Sequence, residues 1–371
     1  MKQLFLCLIG CLFVSFSIAQ TNTTYLNTIL TSVPELQNGF NTQDLGFGNI
    51  EAVNPRHRYA SSSLKNPALM SSTNRKWNNS LSFVSAPFTY RGSLQVAYQN
   101  ERGLSYGGLI RAFTIHKDFN VLNSNNQTTI ITENTLTATA GGFISKKLSE
   151  HWSIGTSLNF LYAKLSAQDL FGFVPMKTFY MDLGLNYHTT FGLKDKGLEL
   201  STGLMINNIG PKTNNFSPSN IIRFNLPTQL ALAAALTYPI NINSFKISST
   251  FAYQTEKLLV PTPSNIDADN NGISDYLELS AFEGILTSFT DATYEGEEWD
   301  EINHRFGFEV LANNDKWVFG LRAGLRRENY NKGNRRGRMI GFTVGRNGYL
   351  IHGTYGKLPW KNYSISLNKQ I

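Results

Sequence analysis

Trp152-Ser153-Ile154-Gly155-Thr156-Ser157-Leu158-Asn159-Phe160-Leu161-Tyr162 decides the fold class. Trp152, Ile154, Leu158, Phe160 and Tyr162 fall on one face of an extended chain, and Ser153, Gly155, Ser157 and Asn159 on the other. Period two is satisfied and the helical period of 3.6 is not. The same division recurs downstream. Phe179, Met181, Leu183, Leu185 and Tyr187 oppose Asp182, Gly184, Asn186 and His188, and Leu198, Leu200, Leu204 and Ile206 oppose Glu199, Ser201 and Gly203. Phe245, Ile247, Phe251 and Tyr253 oppose Lys246, Ser248, Thr250 and Gln254, and Trp317, Phe319, Leu321 and Leu325 oppose Gly320, Arg322, Gly324 and Arg326.

The polar face is small and rich in glycine. A soluble β-sandwich shows the opposite bias, a bulky Lys/Glu-rich face turned to water. A crowded lumen with the aromatic face turned to lipid fits the pattern. Tyr90, Trp152, Tyr187, Tyr238, Trp317, Tyr349 and Trp360 stand near strand ends, where interface girdles form. The expected fold is all-β, a transmembrane antiparallel β-barrel of about 14 strands. Strand starts are expected near residues 80, 92, 103, 135, 151, 177, 197, 228, 243, 302, 316, 338, 348 and 361.

The connectors carry orientation. Every second one is short, such as Asn100-Glu101-Arg102-Gly103 and Asn313-Asn314-Asp315-Lys316. Most of the others are long: 115–134, 166–176, 207–227, 255–301 and 328–337. Short turns in the periplasm and long extracellular loops outside are the rule for such barrels.

Ahead of the strands, Leu4 to Val14 is an unbroken apolar run after Lys2, and Ser17-Ile18-Ala19 is a small-residue exit. Residues 1–19 read as a signal peptide, with the outer membrane as the destination. Leu8-Ile9-Gly10-Cys11 resembles a lipoprotein acylation box, but the apolar run continues past Cys11. Both cysteines lie within the signal, so burial and strand pairing must hold the mature chain. Residues 20–79 alternate poorly and carry Gly46-Phe47-Gly48, Asn54-Pro55 and Asn66-Pro67, which suits a hatch entering from the periplasmic side or a periplasmic cap. Residues 80–371 form the barrel.

Charged residues make up 16% of the chain and the formal charge is +7. With no basic helix or stacking platform, no nucleic acid partner is expected. The basic cluster Arg326, Arg327, Lys332, Arg335, Arg336 and Arg338 suits an acidic partner, lipopolysaccharide phosphates or plain solvation. The six histidines, at 57, 116, 151, 188, 304 and 352, are scattered without a catalytic motif, so no enzyme activity is expected.

In the longest connector, Asp267-Ala268-Asp269-Asn270-Asn271-Gly272-Ile273-Ser274-Asp275-Tyr276-Leu277-Glu278 fits the twelve-position calcium loop. Asp267, Asp269, Asn271, Asp275 and Glu278 supply oxygens, Ile273 its carbonyl, and Gly272 the sharp turn. Ca²⁺ is therefore the expected cofactor, with the weak affinity of extracellular modules, around 10⁻⁴ to 10⁻³ M. The alternative is a solvated acidic turn. Val260-Pro261-Thr262-Pro263 forbids an entering helix. Leu279, Phe282, Ile285 or Leu286, and Phe289 suggest an exiting one.

Three blocks carry a family resemblance: Lys257 to Pro263, Phe282-Glu283-Gly284-Ile285-Leu286-Thr287-Ser288-Phe289-Thr290-Asp291-Ala292, and Arg327-Glu328-Asn329-Tyr330-Asn331-Lys332-Gly333-Asn334-Arg335. In order and spacing they resemble the PorV (LptO) family, outer-membrane proteins of the type IX secretion system of Bacteroidota. Asn66-Pro67-Ala68 and Gly46-Phe47-Gly48-Asn49 resemble the hatch region that family shares with FadL-type barrels. The Arg-Ala-Ala-Gly-Met-Gly type of N-terminal motif is reduced here to Asp44-Leu45-Gly46-Phe47-Gly48. The resemblance implies a FadL-like barrel that binds C-terminal signal domains of secreted cargo at a SprA-type translocon. It would then pass them to the attachment complex. The rival reading is a FadL-like channel for hydrophobic small molecules, which needs an apolar lumenal pocket and a lateral gap. The inward faces read here carry Asp182, Glu199, Lys246, Glu309, Arg322 and Arg326 instead.

Overall fold

A computed structural model describes residues 27–53, 65–72, 76–122, 128–164, 175–192, 197–213, 223–242, 244–358 and 360–370. Residues 1–19, expected to be a signal peptide, and His57 lie outside the described residues. Fourteen strands form a closed antiparallel barrel: β1 (Trp77–Ala86), β2 (Thr89–Gln99), β3 (Leu104–Leu122), β4 (Thr128–Lys147), β5 (Trp152–Lys164), β6 (Met176–Phe191), β7 (Leu198–Ile209), β8 (Gln229–Ile242), β9 (Phe245–Leu258), β10 (Asn303–Asn313), β11 (Trp317–Arg327), β12 (Gly337–Arg346), β13 (Tyr349–Leu358) and β14 (Trp360–Gln370). Each strand pairs with its neighbours in sequence. β1 pairs with β14, so no edge remains exposed.

The alternation falls as the sequence demands. In β5, Trp152, Ile154, Leu158 and Phe160 are exposed on the outer wall, while Ser153, Gly155, Ser157 and Asn159 are buried inside. Closure pairs every strand on both sides, the condition for crossing lipid with strands. At the short-turn rim the wall carries rings: Trp152 and Tyr187 lie 4.7 Å apart and Trp77 and Tyr98 4.9 Å, the latter pair unforeseen in the sequence.

Turn chemistry sets the short connectors. Asn100 Oδ1 accepts the N–H groups of Arg102 and Leu104, each at 3.0 Å, and Gly103 takes φ +71°. Asn347 and Gly348 both have positive φ, the type I′ requirement of a tight hairpin.

One connector is corrected. Residues 115–134, expected as a loop, are largely strand: β3 and β4 run on in register to Leu122↔Thr128. The β-branched run Thr128-Thr129-Ile130-Ile131-Thr132 favours extended chain. The 255–301 connector, by contrast, contains short helices at Asp275–Glu278, Ala281–Thr287 and Glu297–Asp300.

Residues 27–53 and 65–72 lie inside the ring. Asn27 donates its N–H to Asn331 O at 3.0 Å and its side chain to Glu297 Oε1 at 2.9 Å, both on long connectors. Asn27 thus stands at the long-connector end, while residues 65–72 pack against the strands on the opposite side of the lumen from the Thr42–Gly46 helix. A helix at Thr42–Gly46, capped by Asn41, faces β11 to β14, and a 3₁₀ turn at Pro67–Ser72 faces β3 to β6.

Candidate functional site

Glycine and serine on the inward faces exist to receive the lumenal backbone. A Cβ on Gly155 would stand 2.6 Å from Ala68 N, one on Gly307 2.6 Å from Phe47 O, and those on Gly203 and Gly324 would collide with Ala52 O and Gly48 N. Ser153 and Ser145 donate to Ala68 O at 2.9 and 3.3 Å, and Ser105 to Met70 O at 3.2 Å. Non-helical backbone buried in a barrel must find such partners, because an unmet buried polar group costs about 1–3 kcal/mol.

Charged side chains bind the same segment in mid-lumen. Arg305, fully buried, joins Asn49 O, Glu51 and Glu256. Gln254 Oε1 accepts the N–H groups of both Glu51 and Ala52 at 3.0 Å. Lys65 donates to Leu36 O at 2.9 Å, Arg91 to Gly39 O at 2.7 Å, and Thr354 to Thr42 O at 2.7 Å. Beside the segment a small cleft remains, lined by Asn38, Arg91, Arg326, Thr354 and Asn362 among others. Glu309 pairs with Arg322, and Arg326 reaches Glu256 at 3.6 Å, so three of the expected lumenal charges stand in ion pairs.

Nearer the long-connector end the inward face turns apolar, which the sequence reading missed. Leu161, Ala163, Met176, Tyr180 and Leu226 enclose Val33 and Leu36, and Leu109 and Phe113 enclose Phe40. Arg111 lies over the Phe40 ring at 5.5 Å and bonds the Tyr180 hydroxyl. The signal was available: in β3 and β5 the inward positions change from Ser105 and Ser153 to Leu109, Phe113 and Leu161.

Over this chamber sits an ordered cap. Glu301 accepts from Thr262 Oγ1 at 2.6 Å and pairs with Lys257 and, at 2.9 Å, with Lys332. Glu297, fully buried, joins Lys332, Thr293 and Asn27. Burial alone would raise the Glu297 carboxyl, but Lys332 and Thr293 hold it below the usual range. Burial pushes Asp291 up instead, with Glu301 and Glu298 adding to the push.

The calcium-loop residues gather in part. The carboxylates of Asp267, Asp269 and Asp275 have oxygens within 4.8 Å of one another. Asp267 accepts from the N–H groups of Asn271 and Gly272, and Gly272 takes φ +84° as the sharp turn requires. The Asn271 and Glu278 side chains meet each other at 2.7 Å. The exit breaks at Leu279, and Ser280 and Glu283 form a capping box for the Ala281–Thr287 helix.

Of the histidines, His352 is buried between Thr343 and Asn368, and His188 meets Ser201.

No protein-family model matches the chain, and no curated protein matches it in sequence. Among solved structures it is similar to the toluene transporter TodX of Pseudomonas putida, at 10% identity over 88% of this chain and 97% of that one, with a TM-score of 0.51. A TodX deltaS2S3 mutant, a monoaromatic hydrocarbon channel, matches at 12% identity over 90% and 99%, with a TM-score of 0.52. A Pseudomonas aeruginosa FadL homologue matches at 11% identity over 90% and 99%, with a TM-score of 0.41. The first two share the closed-barrel fold of this chain. At such identity, likeness speaks for fold alone.

Proposed function

We propose that the protein is a plugged outer-membrane channel for small hydrophobic molecules. The apolar chamber occupied by Val33, Leu36 and Phe40 carries this reading. Burying each such side chain is worth about 1.5–3 kcal/mol, and a hydrophobic guest of similar size would recover much of that. Phe40 presents a ring of the size of toluene between Leu109 and Phe113, and the fold relatives are named as toluene and monoaromatic hydrocarbon channels. The comparisons support this reading more than the secretion reading. Uptake of radiolabelled toluene by cells that make the barrel is the test. Faster uptake than in cells lacking it is expected, with further gain in Phe40→Ala; equal uptake in all three ends the proposal.

One observation favours the second reading, a shuttle for secreted proteins. The cap exposes Phe282 (69%), Trp299 (75%), Ile266 and Leu286 to solvent although its frame is ordered by buried ion pairs. Exposed apolar side chains on a fixed frame suit protein docking. Under this reading the partners are cargo with C-terminal signal domains, a SprA-type translocon and the attachment complex. Calcium at Asp267, Asp269, Asn271, Ile273, Asp275 and Glu278 would order the cap's outer edge. Pull-down of the detergent-solubilised barrel should recover cargo or translocon, and recovery of neither removes this reading.

A further inference from the structure

Strand register assembles a basic row on the outer wall that the sequence disperses. Arg338 pairs with Lys357 across β12 and β13, and Lys357 with Lys361 across β13 and β14. All three are exposed and stand at the long-connector end, on the lipid-facing side of their strands. Adjacent paired residues lie about 5 Å apart, so the row spans about 10 Å. Directly beneath are Ile340, Phe342, Tyr355, Tyr363 and Ile365, all exposed, with the Tyr355 and Tyr363 rings 5.3 Å apart.

The charge of this arc is uncompensated by sequence: residues 329–371 contain no Asp or Glu. Among the described residues no carboxylate pairs with any of the three. The six-residue basic cluster visible in the sequence contributes Arg338 to this row, and other members of it face elsewhere. Arg326, Lys332 and Arg335 from it turn towards Glu256, towards Glu297 and Glu301, and towards Glu328. At the opposite rim two outward cations are engaged within the chain, Arg346 over Trp317 at 5.0 Å and Lys369 over Tyr349 at 3.3 Å.

We infer that Arg338, Lys357 and Lys361 form a binding site for an anionic phosphoglycolipid of the outer leaflet. Their position decides between occupants: a cation row directly above an apolar wall meets headgroups, whereas an acidic protein would have to enter lipid to reach the same face. The 10 Å span suits two phosphates on one sugar headgroup better than the single phosphate of a glycerophospholipid. The acyl chains lie against Ile340, Phe342 and the tyrosine pair. This site is independent of what passes through the lumen.

The test is native mass spectrometry of the detergent-purified barrel. The probes are diphosphoryl lipid A, its dephosphorylated form and phosphatidylglycerol. Wild type should retain diphosphoryl lipid A in preference to both others. R338Q/K357Q/K361Q should lower that affinity by roughly a hundredfold, each interfacial cation contributing about a factor of five. R346Q/K369Q should leave it within about twofold. Heat-modifiable mobility on electrophoresis confirms that each variant is a closed barrel. Undiminished binding in the triple variant, an equal loss in the opposite-rim variant, or equal retention of phosphatidylglycerol overturns the site.

Discussion

Asp182 accepts the backbone N–H of Asn208 at 2.8 Å, at the place where the ladder between β6 and β7 shifts register. Its second oxygen accepts from Ser157 and Asn159 at 2.7 and 2.9 Å, and Asn208 itself is held at φ +58°. Asp182 thus substitutes for the strand bond that the irregularity removes. Asp182→Ala leaves several buried donors unmet and should cost about 2–4 kcal/mol, with Asp182→Asn costing less. The temperature at which folded barrel converts to unfolded band on electrophoresis measures this. An unchanged temperature in the alanine variant would show that the contact is idle.

Gly324→Val should dislodge the lumenal segment without opening the barrel. The new side chain takes the space of the Gly48 backbone, and neither backbone can yield by rotating a side chain. Single-channel conductance in planar bilayers is expected to rise well above wild type. Gly92→Ala, whose added atom meets only the Phe83 ring and Ser82 O at 3.8–4.0 Å, serves as control and should conduct like wild type.

Acid should loosen the cap. The Glu297 carboxyl is held below its unfolded value of 4.5, so its contribution is complete above about pH 5 and disappears as pH falls through 4.5 to the folded value. Asp291, raised by burial, works in the opposite sense and gains from protonation. Hydrogen exchange of residues 293–301, corrected for intrinsic rate, should therefore accelerate below pH 4.5 in wild type. Glu297→Gln should exchange faster at neutral pH and lose most of the acid step.

Calcium, if it binds the 267–278 loop, should do so near 10⁻⁴ to 10⁻³ M and slow exchange of its amides. Asp267→Ala removes a carboxylate and the acceptor for Asn271 and Gly272 together. Isothermal titration that yields the same heat for wild type and variant would reduce the motif to a turn.

The barrel was legible because its evidence is periodic and local: alternation in β5, β6 and β11, and Asn-Gly chemistry in the turns. The strand extension through Thr128 was hidden because the neighbouring Asn123, Ser124, Asn125 and Asn126 carry turn chemistry. The lumenal filling was half legible. Glycines on the polar faces of β5 and β11 announced a crowded interior, but not that the crowding came from residues 27–72. The apolar chamber was legible only in the inward change to Leu109, Phe113 and Leu161, since Val33 meets Leu161 and Phe40 meets Phe113 only after closure. The same holds for Arg338, Lys357 and Lys361, which pairing brings together across 24 residues of chain.

Residues 27–53 and 65–72 lie inside a ring whose last seam joins its first and last strands, with Asn27 bonded to two of the long connectors. A segment held inside a closed ring cannot be drawn in afterwards without opening a seam or threading the lumen. Forming it first and wrapping the wall around it requires no such passage. The buried ion pairs of Arg305 and the serines that meet Ala68 then act as a mandrel on which fourteen strands find their circumference. Removing residues 27–72 is accordingly expected to slow closure of the β1–β14 seam, followed as the rate at which heat-modifiable monomer appears.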